Sequence, residues 1–286
     1  MSPLRLAAQI YQQFDADPSR PVPAETFGGW RQIEIELAPA HTALVVMHAW
    51  DCGAPEEYPG WRRAVEYHAR AGAILATVFP PLLAAVRASP LPVFHVVGGG
   101  RDYYSHLPGY QRAVRLAGAS PGPTLVASDP SYDAAHRVRA AHGFPGAHNA
   151  ADIAAGFARL DFAPVARPVG DEGVAENSAQ LAALCCAQGV NHLVYVGFAI
   201  NWCLLMAPGG MVDMARHGCL CSTIREAVTA VENRETAATE QEKQQALWRV
   251  ALEFGLVFGL ADFLGALRQG AGAGNSSGSA GFTQAE

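Results

Sequence analysis

The sequence has little charge, and it contains a single lysine, Lys243. Charged residues make up 16% of its 286 positions, the net charge is -6, and the basic residues form no stripe or cluster. Proteins that bind nucleic acid usually neutralise phosphates with clustered lysine and arginine side chains. The composition therefore argues against nucleic acid as a partner.

Long apolar runs and paired-cysteine motifs are also absent. The first residues contain no apolar run of signal-peptide length, and no window reaches the apolar length of a membrane span. Six cysteines lie at positions 52, 185, 186, 203, 219 and 221, and no two of them have the C-x-x-C spacing. We therefore expect a cytoplasmic protein with reduced thiols and no membrane partner.

Apolar strands and amphipathic helices alternate from residue 42 to residue 267. Residues 42–48, 92–97 and 192–196 form apolar runs, which are typical of parallel strands covered by helices on both faces. Helical spacing is found in residues 176–188 and 240–254. This order predicts an α/β fold, a single-domain three-layer (αβα) sandwich with a mostly parallel sheet.

The two ends of the chain differ from this core. Residues 4–14 have a helical stripe and prolines follow, so residues 1–39 are predicted to form an N-terminal helix and an extended arm. Within that arm, the alternating residues 31–37 predict an edge strand. The core domain is predicted to span residues 40–268, and the Gly/Ser/Ala-rich residues 269–286 are predicted to be disordered.

Two weaker patterns raise the question of a bound phosphate or metal. Three glycines at residues 98–100 follow a strand, but the G-x-G-x-x-G spacing is absent, so a flexible turn is the favoured interpretation. His136, His142 and His148 are six residues apart, which fits neither one face of a helix nor the usual zinc motifs. We therefore expect no metal and no cofactor.

The segment from residue 189 to residue 226 carries the clearest chemistry. The strand that ends at Gly197 is followed by a run beginning at Trp202 that looks like the first turns of a helix. Cys203 then lies just inside a helix N-terminus at the carboxyl end of a strand, where α/β sheets place their ligands. Backbone N–H groups and the helix dipole favour a thiolate there, so we predict a lowered pKa and a nucleophilic Cys203. A buried, inert cysteine is the alternative.

A polar and aromatic cluster follows the first central strand. His48 ends that strand, and Trp50 and Asp51 come directly after it. A neutral imidazole suits a general base near physiological pH, and Asp51 is placed to orient the ring. Trp50 and Trp202 would wall the pocket. The alternatives are a hydrogen-bonded structural histidine, a loop-capping aspartate and tryptophans of the core.

These segments resemble the isochorismatase-like cysteine hydrolases, which include nicotinamidases and related amidases. In that family the first core strand is followed by Asp-x-Gln-Asn-Asp-Phe, where this chain has residues 48–53. The family's nucleophile segment reads roughly Gly-x-x-Thr-x-x-Cys-Val, where this chain has residues 197–204. The resemblance covers residues 40–260 and implies an isochorismatase-like hydrolase domain, a small-molecule substrate and a homo-oligomer.

The resemblance also implies site residues. An Asp, a Lys and a Cys form the family's triad, and the backbone N–H groups of the Cys and of a residue four positions earlier hold the oxyanion. Carried over, these are Cys203 and Ala199, with a cis peptide bond before Ala199. His48 stands at the Asp position, and the nearest match to the Lys is Arg167, because Lys243 comes after the nucleophile. Arginine stays protonated, so it can hold charge but cannot relay a proton.

Two functions are compatible with these residues. The first is a cysteine hydrolase that cleaves a small amide-type C–N bond through a Cys203 thioacyl intermediate, with His48 as base and Arg167 stabilising charge or clamping an anionic substrate. Its predicted binding residues are Trp50, Asp51, Ala199, Asn201 and Trp202. The second is a non-catalytic homologue that binds a small ligand or acts as a scaffold, because both proton-handling partners of the family are replaced.

Overall fold

The protein is described from a computed structural model over residues 3–98, 104–119 and 124–276, with side chains up to residue 270. Within these ranges the strands are β1 Leu4–Gln12, β2 Gly29–Leu37, β3 Thr42–Met47, β4 Trp50–Asp51, β5 Val93–Val96, β6 Asp161–Phe162, β7 Gly173–Ala175, β8 His192–Phe198, β9 Leu220–Thr229 and β10 Val257–Phe258. The helices are α1 Pro59–Ala64, α2 His68–Thr77, α3 Phe79–Arg87, α4 Pro108–Ala117, α5 Pro130–His142, α6 Ala150–Ala158, α7 Ser178–Gln188, α8 Cys203–Met206, α9 Met211–Arg216, α10 Gln241–Glu253 and α11 Leu260–Ser276.

The central sheet is mostly parallel. Its strand order is β2-β1-β10-β9-β8-β3-β5-β7, and the six strands from β10 to β7 run parallel to one another. β1 and β2 continue one edge in the antiparallel direction, and β4 and β6 form a separate antiparallel pair. The predicted mostly parallel sheet is therefore confirmed.

Both faces of the sheet are covered by helices. On β3, Leu44 and Val46 face one hydrophobic core, which contains residues of α2, α3 and α11. Val45 and Met47 face the other core, which contains residues of α7, α9 and α10. Because side chains alternate between the faces of a strand, a strand buried on both sides must be apolar at every position. The predicted three-layer arrangement is confirmed.

The predicted N-terminal helix is wrong. Residues 4–12 form β1, which pairs along its whole length with β2 and also with β10. Leu4, Leu6 and Ala8 are buried in alternation, whereas Phe14, on the predicted helical stripe, is 56% exposed. The apolar residues of this segment fit both a helical and an alternating spacing, and the segment forms a strand because β2 and β10 provide hydrogen-bonding partners. The predicted edge strand is confirmed, because β2 is the outermost strand beside β1.

Part of the predicted disordered tail is helical, and part of the glycine turn lies outside the described residues. Residues 269–276 are helical rather than disordered, because α11 continues from a face that packs Phe263 and Leu267 into the core. Residues 277–286 lie outside the described residues, as do Gly99 and Gly100 of the glycine turn. No single helix in the described ranges is long and apolar enough to cross a membrane, and only the pair α2 and α3, bent by 46°, meets the length and composition criteria together.

Candidate active site

The carboxyl ends of β3 and β8 open into a cavity of about 710 Å³. Met47 of β3 pairs with Gly197 of β8, so the residues that follow them leave the sheet side by side. The approach is close, because a Cβ atom at Gly197, whose φ is +123°, would lie 1.9 Å from the Met47 carbonyl oxygen. His48 and Cys203 both line the cavity.

The cavity walls are mainly aromatic and aliphatic. Ring side chains reach it from well-separated segments: Trp50, Trp61, Tyr67, Phe144, Phe157, Phe198 and Trp202. The polar groups of the lining are fewer: His48, Asp51, Cys52, Arg62, His68 and Cys203. A mainly apolar cavity with a few polar groups that converge is the usual form of a small-molecule site.

His48 occupies the turn directly after β3. Its φ is +52°, and its backbone N–H donates to the Val96 carbonyl at 3.0 Å. The imidazole stacks on Trp50, with ring centroids 4.4 Å apart and planes 18° apart. Burial lowers the pKa of His48 from 6.5 to about 4, so the ring is neutral at neutral pH. Nδ1 is buried without a hydrogen-bond partner among the described residues.

Asp51 does not orient the His48 ring, contrary to prediction. Its carboxylate accepts the Gly53 N–H at 3.0 Å, and the residue is exposed at the edge of the cavity. This is the loop-capping role that short carboxylate side chains take in turns. The stacked Trp50 ring is the neighbour that holds His48 in place.

The lowered pKa predicted for Cys203 is wrong. Cys203 is the first residue of α8, as expected, and it is partly buried. Burial raises the pKa of its thiol, and the Ala199 N–H, which hydrogen-bonds toward the sulfur, lowers it by a smaller amount. α8 has only four residues, so it supplies few aligned peptide dipoles to oppose the burial. The resting side chain is therefore a thiol.

Two backbone N–H groups lie where the resemblance implies an oxyanion site. The peptide bond between Phe198 and Ala199 is cis, as the resemblance implies. The N–H groups of Trp202 and Leu204 donate to the Ala199 carbonyl at 3.2 and 3.1 Å. The Cys203 N–H between them is the first of its helix, and it has no backbone acceptor among the described residues. This N–H and that of Ala199 are therefore available at the sulfur.

Asn201 and Trp202 have different surroundings from each other. The Asn201 amide donates to the Val231 carbonyl at 2.8 Å and accepts the Val231 N–H at 2.9 Å, so its polar atoms are occupied. It joins the turn after β8 to the segment after β9 rather than offering groups to a ligand. Trp202 lines the cavity and is 39% exposed, and its ring meets the edge of Phe144 at 5.2 Å. These two rings lie at the mouth of the cavity.

Arg167 and Lys243 do not line the cavity. Arg167 forms an ion pair with Asp161, and its side chain is 56% exposed. Arg167, which was predicted to replace the family lysine, therefore pairs with Asp161 outside the cavity and has a structural role. Lys243 lies on α10 and is partly buried, and burial lowers the pKa of its ammonium group.

Tyr67, His68 and Cys52 are cavity residues that the sequence did not reveal. Burial raises the pKa of the Tyr67 phenol, and nearby Cys203 and Cys52 raise it further, so the hydroxyl stays protonated beside the thiol. Burial, followed by the Arg62 charge, lowers the pKa of His68 to about 4. Tyr67 and His68 follow a proline-bearing loop, and no sequence motif relates them to Cys203. Only their position in the cavity wall identifies them as residues of the site.

The described part of the chain holds no cluster of three or more His, Cys, Asp or Glu side chains that could bind a metal ion. His136 and His142 lie on α5 and His148 follows it, and all three are exposed.

Comparisons with known proteins found likeness only among solved structures. No family model matches the sequence, and no curated protein matches it. A cysteine hydrolase from Pseudomonas syringae pv. phaseolicola 1448A is 13% identical over 82% of this chain and 95% of that one, with a TM-score of 0.45. An isochorismatase-like hydrolase from Alkaliphilus metalliredigens is 14% identical over 80% and 98%, with a TM-score of 0.46. A nicotinamidase/pyrazinamidase from Acinetobacter baumanii is 16% identical over 79% and 99%, with a TM-score of 0.41.

Proposed function

We propose that the protein is a cysteine hydrolase of the isochorismatase-like kind that cleaves an amide-type C–N bond. Cys203 is the nucleophile and His48 is the general base. The observation that carries this proposal is that the thiol and the imidazole line one cavity. Arg167 has no part in it, because its charge lies outside the cavity.

The reaction proceeds through two carbonyl additions. The His48 imidazole takes the proton of the Cys203 thiol while the sulfur attacks the substrate carbonyl carbon. The N–H groups of Ala199 and Cys203 hold the oxyanion that forms. When the tetrahedral intermediate collapses, the C–N bond breaks and the leaving amine takes the proton from His48. A water then gives its proton to His48 and attacks the thioester, which releases a carboxylic acid and restores the thiol.

The pKa directions indicate when the first proton moves. The pKa of His48 is about 4, and that of the Cys203 thiol lies above its ordinary value of 9.0. Burial of both groups therefore favours the neutral thiol and imidazole over a thiolate–imidazolium pair. Proton transfer is therefore coupled to attack on the carbonyl instead of preceding it. The Tyr67 hydroxyl, protonated beside the thiol, is a further donor to the developing charge.

The test is amide hydrolysis by the full chain and matched variants. Ammonia release from a panel of primary amides and ureas at pH 7.5 is measured for the wild type, Cys203→Ala, His48→Gln and Cys186→Ser. Cys186 lies on α7 and is exposed, so its variant is the control for loss of a thiol. We expect Cys203→Ala and His48→Gln to lose more than 100-fold in kcat/KM, and Cys186→Ser to stay within twofold. A Cys203→Ala protein with wild-type turnover would refute the mechanism.

A ligand-binding protein without turnover is the second candidate. The observation that favours it is the raised pKa of Cys203 in a cavity that the chain's only lysine does not line. In that case amides bind to the wild type and to Cys203→Ala with equal affinity, and neither protein releases ammonia.

A further inference from the structure

We propose that the substrate carries a large, apolar aromatic body of two fused or linked rings beside the reacting carbonyl. This inference rests on the proposed function for the identity of the reacting group. The shape and chemistry of the cavity walls carry the rest.

A continuous run of aromatic rings begins at the catalytic imidazole. The His48 ring stacks on Trp50, and the Trp50 ring meets Phe157 edge-on with centroids 5.8 Å apart. Phe157 lies 5.4 Å from Trp61, and Trp61 lies 5.3 Å from His68. Aromatic rings favour other rings in stacked and edge-to-face arrangements. A substrate held at Cys203 and His48 therefore meets a wall that favours a flat aromatic body.

The size of the cavity also fits such a body. About 710 Å³ lies in the upper half of the range of roughly 300–1,000 Å³ found for sites that bind drug-sized molecules. A small polar amide would fill little of it and would leave the apolar walls in contact with water. The sequence-based expectation of a small amide is therefore replaced by a larger apolar one.

Two charged side chains line the cavity, Asp51 and Arg62. Asp51 is exposed at the edge of the cavity and accepts the Gly53 N–H. Arg62 uses Nη2 to donate to the carbonyls of Cys52 and Gly53, at 3.4 and 2.6 Å, whereas its Nε is buried without a hydrogen-bond partner among the described residues. A polar atom of the substrate has a partner at Arg62, but the faces of the aromatic rings offer none, and a polar group held there would lose its hydration. The body that lies against those rings is therefore apolar.

Small side chains on α2 provide the space for this body. Ala71, Gly72 and Ala76 line the cavity, and a Cβ atom at Gly72 would meet nothing within 4 Å. A larger side chain at Gly72 therefore enters open space rather than a packed contact. Since leucine favours helix more than glycine does, Gly72→Leu narrows the cavity without loss of helix stability. Gly265 on α11 is also open within 4 Å and does not line the cavity, so Gly265→Leu is the matched control.

The experiment compares acetamide, benzamide and 2-naphthamide as substrates of the full chain. We expect kcat/KM to rise at least tenfold at each step of the series. Gly72→Leu should lower the ratio of the 2-naphthamide value to the acetamide value at least tenfold. Gly265→Leu should leave all three within twofold. Acetamide as the preferred substrate, or no effect of Gly72→Leu on the series, would overturn the inference while leaving the hydrolase proposal intact.

Binding to Cys203→Ala, followed by tryptophan fluorescence, separates the two proposals. Trp50, Trp61 and Trp202 all line the cavity, so a bound naphthyl ring changes their emission. We expect 2-naphthamide to bind at least tenfold more tightly than benzamide, and Gly72→Leu to abolish this difference. If the binding order holds while the wild type releases no ammonia, the hydrolase proposal fails and the substrate class stands. Equal binding of the two amides contradicts the substrate class whatever the turnover.

Discussion

The low pKa of His48 depends on the Trp50 ring stacked against it, and removing that ring tests the link. The ring centroids are 4.4 Å apart, and burial alone lowers the pKa from 6.5 to about 4. We expect Trp50→Ala to admit water to one face of the imidazole and to raise the pKa toward 6.5. The full shift corresponds to about 3 kcal/mol of differential stabilisation of the neutral form.

The lowered pKa of His48 also makes the free energy of unfolding depend on pH. A folded pKa below the unfolded one means that the unfolded chain binds more protons between pH 6.5 and pH 4. The wild type therefore has its full stability above pH 6.5 and loses up to about 3 kcal/mol from His48 as the pH falls to 4. Trp50→Ala should flatten this part of the curve of unfolding free energy against pH.

The assay is an NMR titration of the histidine Cε1–H signals, with His48→Gln used to assign the His48 resonance. Trp248→Ala is the control, because Trp248 contacts Tyr11 and Arg249 and does not line the cavity. We expect His48 to titrate near pH 4 in the wild type and in Trp248→Ala, and at least one unit higher in Trp50→Ala. The acid limb of kcat/KM should move with it. A wild-type His48 that titrates near 6.5, or a Trp50→Ala protein with no change, would show that burial against Trp50 does not control this group.

Three further substitutions test other parts of the fold by chemical denaturation. Asn201→Ala removes both hydrogen bonds to Val231 and should lower the free energy of unfolding by about 2 kcal/mol; an unchanged midpoint would show that this link does not hold the turn. Burial alone would raise the pKa of Glu172, but hydrogen bonds from His95 and Arg87 lower it to about 2. The stabilisation of the fold by the Glu172 carboxylate is therefore complete above pH 4.5 and is lost as the pH falls toward 2. Glu172→Gln should lower stability by about 3 kcal/mol at pH 7 and remove this acid sensitivity, and a variant as acid-sensitive as the wild type would contradict the assignment. Gly197→Ala places a Cβ atom 1.9 Å from the Met47 carbonyl oxygen, so we expect a loss of more than about 4 kcal/mol, and wild-type stability would mean that β3 and β8 are not so close.

Local patterns in the sequence were sufficient for the centre of the sheet. β3 and β8 are apolar at nearly every position, and that pattern has one common solution, a parallel strand covered on both faces. Gly189 directly follows the helical spacing of residues 176–188, and it ends α7 in the left-handed conformation, with φ +68°, which glycine adopts without strain. Once both strands are parallel, their carboxyl ends share an edge of the sheet. The sequence was therefore sufficient to predict that His48 and Cys203 lie at one site.

Long-range contacts decided the features that the sequence missed. Residues 4–12 became β1 because β2 and β10 supply partners on both sides, and no property of the segment alone distinguishes this from a helix. Arg167 was lost from the site because Asp161 lies within reach of its guanidinium. Asn201 was removed from the binding residues by the backbone of Val231, thirty residues away.

The sequence by itself determined the α/β class, the central strands and the approach of a thiol and an imidazole at one sheet edge, because strand polarity and hydrophobic spacing are local properties. Only the tertiary structure decided the protonation states and the substrate space. The pKa of Cys203 and that of His48 depend on burial, which is the sum of what distant segments place around a group. The cavity walls likewise come from residues 50–76 and 144–165 as well as from the segment of the nucleophile, so no single stretch of sequence contains their shape.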